Sequence, residues 1–137
     1  MGGEDGERSE SPVAALLREA QEQLRAEDYE GALALYQAAA PLAPERVELE
    51  GYIDLLRSRL VKVYRERIGD VHRVPRLLVA PDQITRFNVP ADAGFMLSLI
   101  DAKTSFDELL SLSGMEPFEA LRIFAGLLDA RIVGVAA

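Results

Sequence analysis

An apolar stripe between Pro44 and Gly69 constrains the chain most. Leu49, Tyr52, Ile53, Leu56, Leu60, Val63 and Tyr64 recur at spacings of three and four, which predicts one helix from about Glu45 to Ile68. Gly69 is its expected stop, because glycine enters the left-handed conformation that ends a helix without steric cost. At about 1.5 Å per residue, such a helix is roughly 35 Å long. It outreaches the shorter helical patterns before it, so its last turns must meet something downstream.

Two shorter stripes precede it. Ser11-Pro12 is a helix start, with Ser as N-cap and Pro at the first helical position, followed by Val13, Leu16, Leu17, Ala20 and Leu24. This helix is expected to end near Arg25–Asp28. Tyr29, Ala32, Leu33, Tyr36 and Ala39 form the second stripe, closed by Pro41 and Pro44. The short connection between the two forces an antiparallel pair.

After Gly69 the character changes. All four Tyr lie before it and all five Phe after it. Val74 to Val79 favours a strand, Pro81-Asp82 reads as a turn, and Thr85, Phe87 and Val89 alternate with Arg86 and Asn88, so residues 74–89 are expected to form a β-hairpin. Pro90 opens a short helix through Ile100. Thr104 or Ser105 caps the next, Phe106 to Leu112; Ser105 with Glu108 has the spacing of a capping box. Pro117 opens a last helix with Phe118, Leu121, Phe124 and Leu128 inward, and Arg131 to Val135 is a terminal strand candidate. Phe95, Phe106, Phe118 and Phe124 are expected in the core, with Met96 and Met115 as gap fillers.

The expected fold class is therefore mostly α (α+β). It has an acidic disordered tail over residues 1–10, a three-helix unit over 11–69, and a small α+β unit over 70–137 with a short antiparallel sheet.

Composition bounds the function. The 137 residues are 49% hydrophobic and 28% charged, which is ordinary globular usage, and the formal net charge is −8. With no Cys, disulfides, thiolate metal sites and Cys nucleophiles are excluded. The N-terminus has neither the positive start nor the apolar run of an export signal, and no apolar stretch approaches the roughly 20 residues of a membrane span. A cytoplasmic location is the expectation.

Residues 28–44, DYEGALALYQAAAPLAP, resemble the second helix of a tetratricopeptide repeat. Ala32, Tyr36, Ala39 and Pro44 fall at the small, aromatic, small and proline positions of that family. Ala20 and Leu16 fall at the small and first large positions of its first helix. Glu19 and Gln23 depart from the pattern, and the third helix shows no second full repeat. Residues 104–135 resemble a helix-turn-helix in a winged-helix setting, with the terminal strand and the 74–89 hairpin as its sheet. The stretch Gly94 to Asp101, with Thr104 to Leu112 and Glu119 to Ile123, is also similar to small C-terminal domains of bacterial signalling and polarity proteins. That likeness implies protein contact, with a small Ras-like GTPase as one class of partner.

A winged helix raises DNA binding as the alternative function, as a transcriptional regulator. Base and phosphate contacts need Arg, Lys, Asn or Gln on the recognition helix. Pro117 to Asp129 offers only Arg122, beside Glu119 and Asp129, and residues 70–137 carry 6 basic against 9 acidic residues. Catalysis has little to stand on either. His72 is the only imidazole, no glycine-rich phosphate loop is present, and no carboxylates have calcium-loop spacing. No cofactor, metal or catalytic residue is expected.

One charged feature stands out. Arg57, Arg59, Lys62, Arg65, Arg67, Arg73 and Arg76 lie within twenty residues that hold only Glu66 and Asp70 as acids. That stretch carries +5 and the remainder −13, so the chain is dipolar. The cluster reads either as a solvated, internally paired face or as a docking surface for an acidic partner, where charge sets on-rate and orientation. The functional expectation is a non-catalytic adaptor or regulatory subunit, in bacterial signalling or cell polarity, that binds another protein through these seven residues.

Overall fold

The Ser11 hydroxyl accepts the backbone N–H of Ala14 at 3.0 Å, and Pro12 opens α1 (Pro12–Arg25). In this computed structural model, residues 10–135 are described. The tail expected over residues 1–10 lies outside them except for Glu10, whose carboxylate meets the Arg18 guanidinium at 3.1 Å. Among the described residues the chain is mostly helical with one small antiparallel sheet, an α+β protein.

It divides into two compact units, Met1–Leu60 and Val61–Ala137. The division falls inside the long helix, at Leu60, and not at Gly69 where that helix stops.

In the first unit, Asp28 caps α2 (Tyr29–Ala39): its side chain accepts the amide of Gly31 at 2.9 Å. A Cβ on Gly31 would lie 2.4 Å from that carboxylate, so glycine leaves room for the cap. Ala20 on α1 and Ala32 and Ala39 on α2 are wholly buried. With no atoms beyond Cβ, they let the helix backbones approach closely, while Leu33 and Tyr36 fill the flanks. A 3-10 turn at Ala40–Leu42 follows, and α3 (Glu48–Ile68) begins three residues later than its apolar pattern suggests. Leu49, Ile53, Leu56 and Leu60 of α3 are buried as expected, whereas Tyr52 and Val63 of the same stripe are exposed. The Tyr52 ring lies on that of Tyr36, with centroids 5.4 Å apart.

The second unit is built on α6 (Pro117–Asp129), which buries Phe118, Ala120, Leu121, Ile123, Phe124, Ala125 and Leu127. Phe124 meets Phe106 of α5 (Phe106–Leu112) edge to face at 5.1 Å, and Phe118 meets Tyr64 at 5.7 Å. Met96 and Leu97 of α4 (Ala91–Leu99) complete this core. Ser105, not Thr104, caps α5. Its hydroxyl accepts the Glu108 amide, and its own amide donates to the Glu108 carboxylate.

The sheet pairs β1 (Pro75–Leu77) with β2 (Val133–Val135), with Arg76 opposite Gly134. A Cβ on Gly134 would lie 2.9 Å from the Leu78 side chain that covers it.

The 74–89 hairpin does not form. Its first strand pairs with the chain terminus, and its second is a 3-10 helix, Pro81–Phe87. Pro81-Asp82 acts as a helix start. The Ala80 amide donates to the Gln83 side chain at 3.0 Å, the Gln83 amide returns to the Ala80 carbonyl at 2.8 Å, and the Thr85 hydroxyl donates to the Asp82 carbonyl. These local bonds outweigh the alternation of Thr85, Phe87 and Val89. Phe95 is a second correction: it is 47% exposed, because α4 turns Ala93, Met96 and Leu97 inward instead.

Candidate functional site

The seven cations of the basic cluster do not share one environment. In the first unit, the Arg59 guanidinium sits 4.5 Å from the centre of the Tyr29 ring, a cation–π contact. Arg57 is half-buried and engaged by neighbouring groups. In the second unit, Arg67 is ion-paired with Asp129 of α6. Both partners are largely exposed, so the pair adds little stability.

The other four, Lys62, Arg65, Arg73 and Arg76, are all exposed residues of the second unit. None makes an ion pair with a described residue. Lys62 and Arg65 are one turn apart on α3, Arg73 lies in the turn after it, and Arg76 is on β1.

That turn is held firmly. The Phe106 amide donates to the Arg73 carbonyl at 3.0 Å, and the Asp107 amide to the Val71 carbonyl at 2.9 Å. With the Ser105 hydroxyl on Glu108, these bonds satisfy the first three backbone donors of α5, which have no partner within the helix. Within the turn, the His72 amide donates to Asp70 at 2.9 Å. The turn that presents Arg73 is thus the cap of a core helix.

Beside it lies a cavity of 410 Å³, within the usual range of roughly 300–1,000 Å³ for ligand clefts. Val71, Leu110, Met115, Pro117 and Leu121 give it an apolar lining, while Arg65, Asp107 and Ser111 contribute its polar groups. Nothing in the sequence singles out Asp107, Leu110 or Ser111. Their only trace is a spacing of three and four that puts them on one face of α5.

A smaller cavity of 220 Å³, between α4 and α6, includes Asp92 and Arg122. Partial burial disfavours the Arg122 charge, but the hydrogen bond and charge of Glu119, helped by Asp92, outweigh it and raise the guanidinium pKa. Arg122 donates to Glu119 at 2.7 Å and stands 3.6 Å from Asp92. The only basic residue of α6 is therefore occupied within the unit. In the first unit, a third cavity of 380 Å³ is lined by Gln21, Leu24, Tyr36, Tyr52, Leu55 and Leu56.

His72 is exposed. Among the described residues, no three His, Asp or Glu side chains gather as a metal site requires, and no helix is long and apolar enough to cross a membrane. No protein-family model matches the chain, and neither does any curated protein or solved structure.

Proposed function

We propose that the chain is a non-catalytic interaction adaptor or regulatory subunit of a bacterial signalling or polarity system, acting in the cytoplasm. In this reading it docks an acidic protein partner through Lys62, Arg65, Arg73 and Arg76, and control of a small Ras-like GTPase is its specific form. One observation carries the proposal. These four cations are exposed and without an ion-pair partner among the described residues, in a chain whose acidic surplus gives a net charge of −8. Exposed cations without an ion-pair partner contribute little to the stability of the unit. Against an acidic surface they raise the rate of encounter and fix orientation. A turn anchored to α5 at two backbone bonds holds the Arg73 backbone in place, so little backbone mobility is lost on binding.

The DNA-binding alternative finds no comparable support. The helix it would place in the groove, α6, buries seven of its thirteen residues, and its one basic side chain is taken by Glu119 and Asp92.

Affinity capture from native lysate, with and without GTP and read by mass spectrometry, tests the proposal. The wild-type chain is expected to recover a partner that Lys62→Glu, Arg65→Glu, Arg73→Glu and Arg76→Glu together lose, with the circular dichroism spectrum unchanged. Recovery of the same partner by the reversed chain contradicts it. If the partner is a GTPase, its nucleotide exchange or hydrolysis must change on adding the purified chain.

A further inference from the structure

Arg65 belongs both to the exposed cationic set and to the lining of the 410 Å³ cavity. The cavity therefore carries one of these cations, and it has a chemistry of its own. Its lining is mainly aliphatic side chains from the turn, α5, α6 and the loop before α6. Its one cation makes no ion pair with a described residue, although Asp107 lines the same cavity. A ligand that only neutralised the cations would leave this apolar surface in water. A purely apolar ligand would make no use of the exposed Arg65 charge.

We infer that the cavity receives one aliphatic side chain from an acidic segment of the partner, with a carboxylate flanking that anchor held by Arg65 and Lys62. Asp107, exposed on the same cavity, disfavours a carboxylate at the anchor position itself. The inference rests on the proposed docking of an acidic partner and adds the specificity that charge alone cannot give. Long-range attraction tolerates any anion, whereas burial of an anchor selects for its size and shape.

Two fluorescein-labelled nonapeptides of Asp and Glu separate the two claims by anisotropy. One has a central Leu and the other a central Ser. The wild-type chain is expected to bind the Leu peptide about tenfold or more tightly than the Ser peptide, the scale set by burying an aliphatic side chain. Ser111→Trp fills the cavity from an exposed position of α5. It is expected to erase that preference and leave the weaker Ser-peptide affinity in place. Arg65→Glu is expected to weaken both. Equal affinity of the wild-type chain for both peptides overturns the anchor while leaving the cationic docking surface standing, and this comparison needs no variant to fold. No binding of either peptide at low salt removes both readings. A preference that survives Ser111→Trp places the anchor elsewhere and overturns the assignment. So does a concentration-dependent dimer that Ser111→Trp dissolves, since it gives the cavity to a second copy of the chain.

Discussion

The backbone N–H of Phe106 donates to the carbonyl of Arg73 at 3.0 Å, so a residue at the heart of the second unit's core is bonded to one that presents an exposed cation. Core packing and surface charge are coupled through this bond and its neighbour, from the Asp107 amide to the Val71 carbonyl. Whatever loosens α5 also releases the turn that carries Arg73.

Phe106→Ala is the direct test of that coupling. The ring is wholly buried and packs edge to face on Phe124, so its removal is expected to cost about 3–5 kcal/mol in chemical denaturation. Binding of an acidic partner should weaken in the variant under conditions where it is still folded. Phe95→Ala removes a ring that is half in water and should change stability by less than about 1 kcal/mol.

Close approach of α1 and α2 rests on alanine. Ala32 has no exposed surface, so Ala32→Leu is expected to destabilise by about 1–3 kcal/mol through overpacking. Ala34 is exposed on the same helix, and Ala34→Leu should stay within about 0.5 kcal/mol. Equal effects at the two positions would refute the close packing.

The Asp28 cap has a separable contribution. Asp28→Ala removes the acceptor of the Gly31 amide and is expected to cost about 1 kcal/mol, while Asp28→Asn keeps the acceptor and most of the stability. Thermal midpoints of the three chains decide it.

Asp101 gives a pH signature. The backbone amides of Lys103 and Thr104, and then the Thr104 hydroxyl, donate to its carboxylate and hold its pKa below the ordinary carboxylate value. A carboxyl with a depressed folded-state pKa contributes its stabilisation above its unfolded value, about 3.9 for Asp, and loses it as pH falls through the folded value. The loop at 101–104 should therefore loosen only below about pH 4. Titration followed by carboxyl-carbon NMR should show a depressed value that moves toward the ordinary one in Thr104→Ala. An unshifted Asp101 would contradict the geometry.

What the sequence discloses is what short range decides. Ser11-Pro12, Gly69 and the Ser105–Glu108 box act within four residues, and each does in the structure what its residue type dictates. The second half of the expected hairpin was misleading for the same reason. Alternation at Thr85, Phe87 and Val89 competes with the bonds of Ala80 to Gln83 and Thr85 to Asp82, and a pattern of hydropathy does not weigh those bonds. Phe95 sits on an apolar run that fits more than one helix face, and only the packing of Met96 and Leu97 chooses between them. The candidate site was legible as a count of cations but not as a surface. That Arg59 and Arg67 are engaged depends on Tyr29 and Asp129, thirty and sixty-two positions away. The cavity beside Arg65 is assembled from four stretches of chain, and none of them marks it alone.

Lys62, Arg65, Arg73 and Arg76 are proposed to dock an acidic partner. Anisotropy of the labelled acidic Leu peptide, titrated with the wild-type chain and with the fourfold Glu variant from low to physiological salt, tests it most directly. Binding to the wild-type chain is expected to weaken steadily as salt screens the charges, and the folded variant is expected to show none. Equal affinity of the two chains, or no binding at low salt, would contradict it.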